Sequence, residues 1–142
     1  MPRIDFYILP DQAADGRVLL ACRLCEKAFQ HGHRIYIQAA SPEQARILDD
    51  LLWTFRQGSF VPHALCPAGD SDMSPVLIGA GADIAAQTAE VVINLDALPP
   101  PDFDRFERVM EIVDQHPDIL AQSRQRYRFY RERGYPPDSH KL

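Results

Sequence analysis

Five arginines lie close together near the end of the chain, in the segment DILAQSRQRYRFYRERGY from Asp118 to Tyr135. They are Arg124, Arg126, Arg128, Arg131 and Arg133. With Asp118 and Glu132 they give this segment a net charge of +3, whereas the whole chain has a net charge of −5. Guanidinium groups bind carboxylates through paired hydrogen bonds, and an adjoining apolar dip can hold a hydrophobic side chain. The segment therefore suits an acidic peptide with a hydrophobic end.

The arginine segment must be presented by a helix, which the sequence predicts to begin after Pro117 and to stop at Gly134. At about 100° per residue, one arc of this helix should face the body of the protein, and it consists of Ile119, Leu120, Ser123, Tyr127, Tyr130 and Gly134. Arg124, Arg128 and Arg131 run along one edge of that arc. The residues predicted to lie away from it are Arg126, Phe129 and Arg133. A solvated helix face with an internal Arg128–Glu132 pair is the alternative interpretation.

Two aromatic residues in the middle of the chain predict a second binding surface. A helix capped by Ser41 should turn its apolar face inward and leave Trp53 pointing to solvent, where tryptophan is typical of protein interfaces. Phe60 lies in the long loop-like stretch that follows, between residues 57 and 73. One alternative is that the helix frays near Leu52, so that Trp53 folds over its end. Another is that the loop packs on the domain and binds no partner.

Composition limits the class of protein. The chain has 142 residues, 46% of them hydrophobic and 25% charged, which fits one globular domain over residues 1–142. No apolar run is long enough to span a membrane and no signal sequence is evident, so we expect a cytoplasmic protein without membrane contact. Three cysteines in such a chain indicate reduced thiols. The acidic balance disfavours a broad nucleic-acid surface.

The order of elements predicts an α/β class, with a single Rossmann-like domain whose mostly parallel sheet is flanked by helices. Strands are predicted over residues 4–9, 34–39, 75–79 and 90–95, with a short irregular strand possible over 61–66. Helices are predicted over about 15–31 and from 42 to 55. Another amphipathic helix over 103–113 would form a C-terminal helix pair with the arginine helix. Residues 136–142 are predicted to be a loose tail.

Catalytic and cofactor motifs are missing from the sequence. There is no phosphate-binding glycine loop, no zinc-ligand spacing, and no nucleophile with a matching base. We therefore expect no enzyme activity, no cofactor and no metal. A nucleotide-binding enzyme or regulator on the Rossmann-like sheet is the alternative, and direct binding of single-stranded DNA by Tyr127, Phe129 and the arginines is a third.

The chain resembles a known family over nearly its whole length, from Asp5 to Tyr135. Its order of FYIL, an IYI strand, QARILDDLLW, GSFVPH and RYRFYRERGY is similar to the chi subunit of bacterial DNA polymerase III. The most specific pieces are Leu52-Trp53 with residues 59–63, and Arg126-Tyr127 with Tyr130-Arg131 and Gly134. This resemblance implies a non-catalytic adaptor of the clamp-loader assembly, with no nucleotide site of its own.

The resemblance implies two partners and assigns residues to each. Chi proteins hold the C-terminal tail of single-stranded DNA-binding protein, an acidic run that ends in an apolar residue with a free carboxylate. The residues matching the tail contacts are Arg124, Tyr127 and Arg128, with Val113 and Leu120 lining the pocket. The best-known members of the family have a lysine where Leu120 stands, so Arg131 is expected to supply that charge.

The psi subunit is the second partner that the resemblance implies. The residues matching the psi surface are Trp53, Phe60 and Val61 or Pro62. Some chi proteins use this surface for a repair helicase as well. DNA is therefore expected to be contacted only indirectly, through the protein partners.

Overall fold

The computed structural model describes residues 2–58, 60–66, 74–80 and 89–142. It contains three helices, which are α1 (Gly16–Gln30), α2 (Pro42–Thr54) and α3 (Pro117–Glu132). Seven strands are described, which are β1 (Arg3–Ile8), β2 (Ile35–Ala39), β3 (His63–Leu65), β4 (Val76–Ala80), β5 (Val91–Asn94), β6 (Arg108–Val113) and β7 (Asp138–Lys141). The strands and helices predicted between residues 4 and 55 are confirmed to within two residues. Part of the loop predicted over 57–73 lies outside the described residues.

The seven strands form one sheet in the order β3-β4-β2-β5-β6-β1-β7, and every described pair is parallel. The predicted α/β class with a Rossmann-like parallel sheet is therefore confirmed. Helices α1 and α2 cover one face of the sheet, and α3 covers the other. The central strands are buried on both faces, which explains why their sequences are nearly continuous apolar runs.

The helix predicted over residues 103–113 is wrong. Residues Phe103–Arg105 form one turn of 3-10 helix, and Arg108–Val113 form β6, which pairs with β5 and β1. The apolar residues of this strand face both helical layers, so their spacing imitates a helical stripe. The predicted C-terminal helix pair is thus a strand followed by α3.

The loose tail predicted over residues 136–142 is also wrong, because residues 138–141 form β7 along the outer edge of β1. His140 Nε2 lies 2.8 Å from Asp5 Oδ1, and the His140 ring stacks on Tyr7 with a centroid distance of 4.9 Å. Burial alone would raise the pKa of Asp5, but hydrogen bonds with His140 and Arg108 outweigh burial and lower it. This contact fastens the end of the chain to the sheet.

Candidate peptide-binding sites

A buried polar network anchors α3 on the sheet. Arg126 is 2% exposed, and its Nε donates to Glu111 Oε1 over 2.9 Å while its Nη1 donates to the carbonyl oxygen of Ala97 over 3.0 Å. Glu111 in β6 is fully buried and also accepts hydrogen bonds from Asn94 and from the hydroxyl of Tyr130. The prediction that Arg126 lies away from the packed arc is therefore wrong. The buried stripe of α3 is Ser123, Arg126 and Tyr130.

Electrostatics explain how this network keeps a charge inside the protein. Burial raises the pKa of Glu111, and the guanidinium of Arg126 opposes that rise. Burial beside Glu111 likewise raises the pKa of Tyr130, so its hydroxyl stays a hydrogen-bond donor. Arg126, one of the five arginines, is thus part of the core, where it positions α3 on the sheet.

A hollow of about 210 Å³ lies between α3 and the sheet, beside Tyr127. The lining residues are Phe6, Ile8, Val113, Leu120, Ser123, Arg124, Tyr127 and Ser139. Tyr127 forms one wall and packs on Phe6, with ring centroids 5.4 Å apart. The hollow is mostly apolar, and Arg124 is the cationic side chain among the described residues that line it. This geometry can accept one hydrophobic side chain with an anionic group beside it.

The rim of the hollow carries exposed positive charge. Arg124, Arg128 and Arg131 are exposed, as predicted, and follow one another along the edge of α3. Within the described ranges, none of these three guanidinium groups has a hydrogen bond or an ion pair. In particular, the ion pairs of the described chain do not include the alternative Arg128–Glu132 pair. These groups are available to an anionic ligand, although Arg128 and Arg131 lie outside the lining of the hollow itself.

A second surface is built where α2 meets the loop before β3. Trp53 is 52% exposed and Phe60 is 69% exposed, and their ring centroids lie 5.9 Å apart. Trp53 also packs on the buried ring of His63, at 4.4 Å. The nitrogens of His63 lie 2.6 Å from the carbonyl oxygen of Val61 and 2.9 Å from that of Asp49. The loop is therefore tied to α2, and two large aromatic side chains share one exposed patch.

The other residues assigned to this surface differ in exposure. Val61 is 1% exposed and belongs to the core, so its side chain supports the patch from inside. Pro62 is half-buried and lies between Val61 and His63. Helix α2 continues past Leu52 to Thr54, which excludes the alternative that it frays there. The exposed patch thus consists mainly of Trp53 and Phe60.

Arg17 spans the carboxyl ends of β5 and β6. Parallel α/β sheets usually bind ligands at the carboxyl ends of their strands. Arg17 donates from Nε to the carbonyl oxygen of Ile112 over 3.2 Å, and from Nη2 to that of Leu95 over 3.0 Å. Burial lowers the pKa of this guanidinium. The side chain at the start of α1 is therefore held against the ends of these two strands.

Several residues of the two sites were not found from the sequence. Ser139 reaches the hollow only because β7 pairs with β1, and nothing in the sequence signals that pairing. Phe6 and Ile8 were predicted to be strand residues but not pocket residues. Residues 59–63 were part of the family resemblance, but His63 was not assigned to the site, and only the structure shows that it supports Trp53.

Taken together, the fold and these sites define an α/β domain with a Rossmann-like sheet, an apolar hollow edged by arginines and a separate exposed aromatic patch. Among the described helices, none is both long and apolar enough to cross a membrane.

Comparison with known proteins gives the family. A family model described as DNA polymerase III chi subunit, HolC, matches residues 1–138. The DNA polymerase III subunit chi of Pseudomonas aeruginosa is 39% identical over 142 residues, which is all of this chain and 98% of that protein. The subunit chi of Escherichia coli is 28% identical, over 95% of this chain and 95% of that protein. The subunit chi of Haemophilus influenzae is 27% identical, over 92% of this chain and 91% of that protein. The chain belongs to the DNA polymerase III chi subunit family, as the resemblance predicted, and so to the accessory proteins of DNA replication.

Proposed function

We propose that this chain is a non-catalytic replication adaptor. It binds the acidic C-terminal tail of single-stranded DNA-binding protein in the hollow beside α3. It binds the psi subunit of the clamp-loader assembly through the patch formed by Trp53 and Phe60. The domain thereby links the polymerase to the protein that coats single-stranded DNA.

The observation that carries the proposal is the hollow itself. Its volume of about 210 Å³ and its apolar lining suit one large hydrophobic side chain at the end of a peptide. Arg124 lies at the same hollow, where it can bind the terminal carboxylate. A peptide that ends in an apolar residue with a free carboxylate satisfies both features at once.

The charge distribution favours the same ligand. The chain has a net charge of −5, so its body repels an acidic peptide. Arg124, Arg128 and Arg131 offset that repulsion along one edge of α3, and they have no acidic partner within the described part of the chain. An acidic run that leads into the hollow would meet these side chains one after another.

The two surfaces are far enough apart for both partners to bind together. Trp53 packs on His63 at the start of β3, which is one edge of the sheet. The hollow includes Ser139 of β7, which is the opposite edge. Neighbouring strands lie about 4.8 Å apart, so the edges of a seven-stranded sheet are separated by roughly 29 Å.

Substituting the rim arginines tests the tail site. Arg124→Ala and Arg128→Ala are each expected to weaken binding of an acidic peptide with a free C-terminus by about 1–3 kcal/mol, because each removes hydrogen bonds to a charged group. Isothermal titration of the peptide into each variant measures the loss. Both side chains are exposed, so the folded domain should be preserved.

Arg46→Ala is the matched control, because Arg46 is an exposed arginine on α2, across the sheet from the hollow. It should bind the peptide nearly as well as the unsubstituted protein. Unchanged binding by both Arg124→Ala and Arg128→Ala would show that the peptide is held elsewhere.

A further inference from the structure

A second cavity, of about 370 Å³, lies on the other face of the sheet from the α3 hollow. It is formed where β1, β5 and β6 begin and where α1 ends. Tyr7 of β1 lines this cavity, whereas its neighbours Phe6 and Ile8 line the α3 hollow. Sites for small molecules usually have volumes of about 300–1,000 Å³. The cavity is therefore separate from the proposed peptide site and large enough for a small ligand.

The inner wall of this cavity is apolar. Leu24 and Ala28 of α1 lie on one side, and Val91 and Met110 of the sheet lie on the other. Ala28, Val91 and Met110 are buried, and Leu24 is half-buried. A flat hydrophobic group would remove this surface from water, which is favourable in proportion to the apolar area covered.

Two guanidinium groups at the cavity are held in place by one buried carboxylate. Arg108 donates from Nε to Asp5 Oδ2 over 2.9 Å and from Nη2 to the hydroxyl of Tyr7 over 2.5 Å. Arg3 Nε lies 3.1 Å from the same Asp5 oxygen. The two terminal nitrogens of Arg3 have no acceptor within the described residues. Donors that are fixed in advance lose little conformational entropy when a ligand binds.

Cations outnumber carboxylates among the residues that line the cavity. Lys27 in the last turn of α1 adds a third permanent cation, and His31 and His33 lie at the same opening. Glu107 is the one carboxylate among the described residues of the lining, and Asp5 beneath the cavity compensates one arginine. Glu90 does not line the cavity, but its carboxylate lies within 4.8 Å of Glu107 and His33 at the edge of the opening. Positive charge beside an apolar wall, in a chain of net charge −5, indicates an anionic ligand.

We propose that this cavity binds a small organic anion that has a compact phosphate-like head and a flat apolar body. The head meets Arg3, Arg108 and Lys27, and the body lies against Leu24 and Met110. This site is independent of the proposed adaptor function, because it shares no residue with the α3 hollow or with the patch of Trp53 and Phe60.

Titration with 1-naphthyl phosphate tests the proposal. Saturable binding is expected, with a dissociation constant on the order of 1 mM or tighter. Lys27→Gln should weaken it about threefold, and Glu107→Gln should strengthen it by about the same factor, because the first removes an attraction and the second a repulsion. 1-Naphthol, which lacks the charged head, and inorganic phosphate, which lacks the body, should each bind at least about tenfold more weakly.

Two further variants serve as controls for this experiment. Arg23→Gln removes an exposed charge of α1 that does not line the cavity, and Arg124→Ala alters the α3 hollow, so neither should change the affinity for the probe. The proposal is overturned if binding does not saturate by about 10 mM. It is equally overturned if Arg23→Gln weakens binding as much as Lys27→Gln, or if Arg124→Ala abolishes it.

Discussion

Arg126→Met is expected to lower the free energy of unfolding by about 3–5 kcal/mol, the typical cost of removing one partner of a buried ion pair. Arg126 and Glu111 are both almost fully excluded from solvent. Without the guanidinium, Glu111 keeps hydrogen bonds from Asn94 and Tyr130 but loses its cation. The measurement is urea unfolding of both proteins, followed by circular dichroism.

Arg124→Met is the matched control for stability, because it makes the same chemical change on the same helix at an exposed position. It should change the free energy of unfolding by no more than about 0.5 kcal/mol. Equal stability of the Arg126→Met and Arg124→Met proteins would contradict the assignment of Arg126 to the core. It would instead support the sequence-based arrangement, in which Arg126 points away from the sheet.

Trp53→Ala is expected to weaken binding of the psi subunit by about 2–4 kcal/mol, as for a central aromatic residue of an interface. The side chain is 52% exposed, and its ring rests on Phe60 and on the buried His63. Its loss should remove most of the exposed apolar patch while leaving the bonds of His63 in place. Titration of purified psi measures the change, and tail-peptide binding should be unaffected.

Ile47→Ala is the control for this second effect, because Ile47 is another large apolar residue of α2 and is 46% exposed. It should leave psi binding unchanged. If Trp53→Ala unfolded the domain, Trp53 would be a structural residue and the interface assignment would fail. Equal losses in the two variants would also count against a localised patch.

The sequence predicted the parts of the fold in which one local signal dominates. Helix α2 begins where Ser41 and Gln44 predicted it, and the backbone N–H of Gln44 donates to Ser41 Oγ over 3.1 Å. Gly32 and Gly134 follow helices with φ angles of 85° and 86°, a conformation in which glycine is favoured. These features depend on neighbours in sequence, so they could be identified without tertiary contacts.

The sequence-based predictions were wrong where the local structure depends on contacts with residues distant in the chain. Strand β6 has the residue spacing of an amphipathic helix, and only burial between two helical layers explains its composition. The polar segment of β7 becomes a strand because β1 offers an unpaired edge and because Asp5 accepts a hydrogen bond from His140. Arg126 is buried because Glu111 lies opposite it, and the sequence separates these partners by fifteen positions.

The candidate sites could be predicted only in outline. The exposure of Trp53, Arg124 and Arg128 followed from helical geometry, because each lies on a long and regular helix. The walls of the α3 hollow come from β1, β6 and β7 as well as from α3, so its shape depends on sheet topology. That topology could not be predicted from residue spacing, since the spacing in β6 is typical of a helix.

Chemical-shift mapping with an acidic peptide that ends in a free apolar residue tests the central claim most directly. Titrated into the ¹⁵N-labelled domain, this peptide should shift the backbone amides of Leu120, Ser123, Arg124 and Tyr127 most strongly, because these residues line the α3 hollow. The indole N–H of Trp53, on the opposite edge of the sheet, should not move. Shifts centred on Trp53, or none in α3 at saturating peptide, would contradict the account.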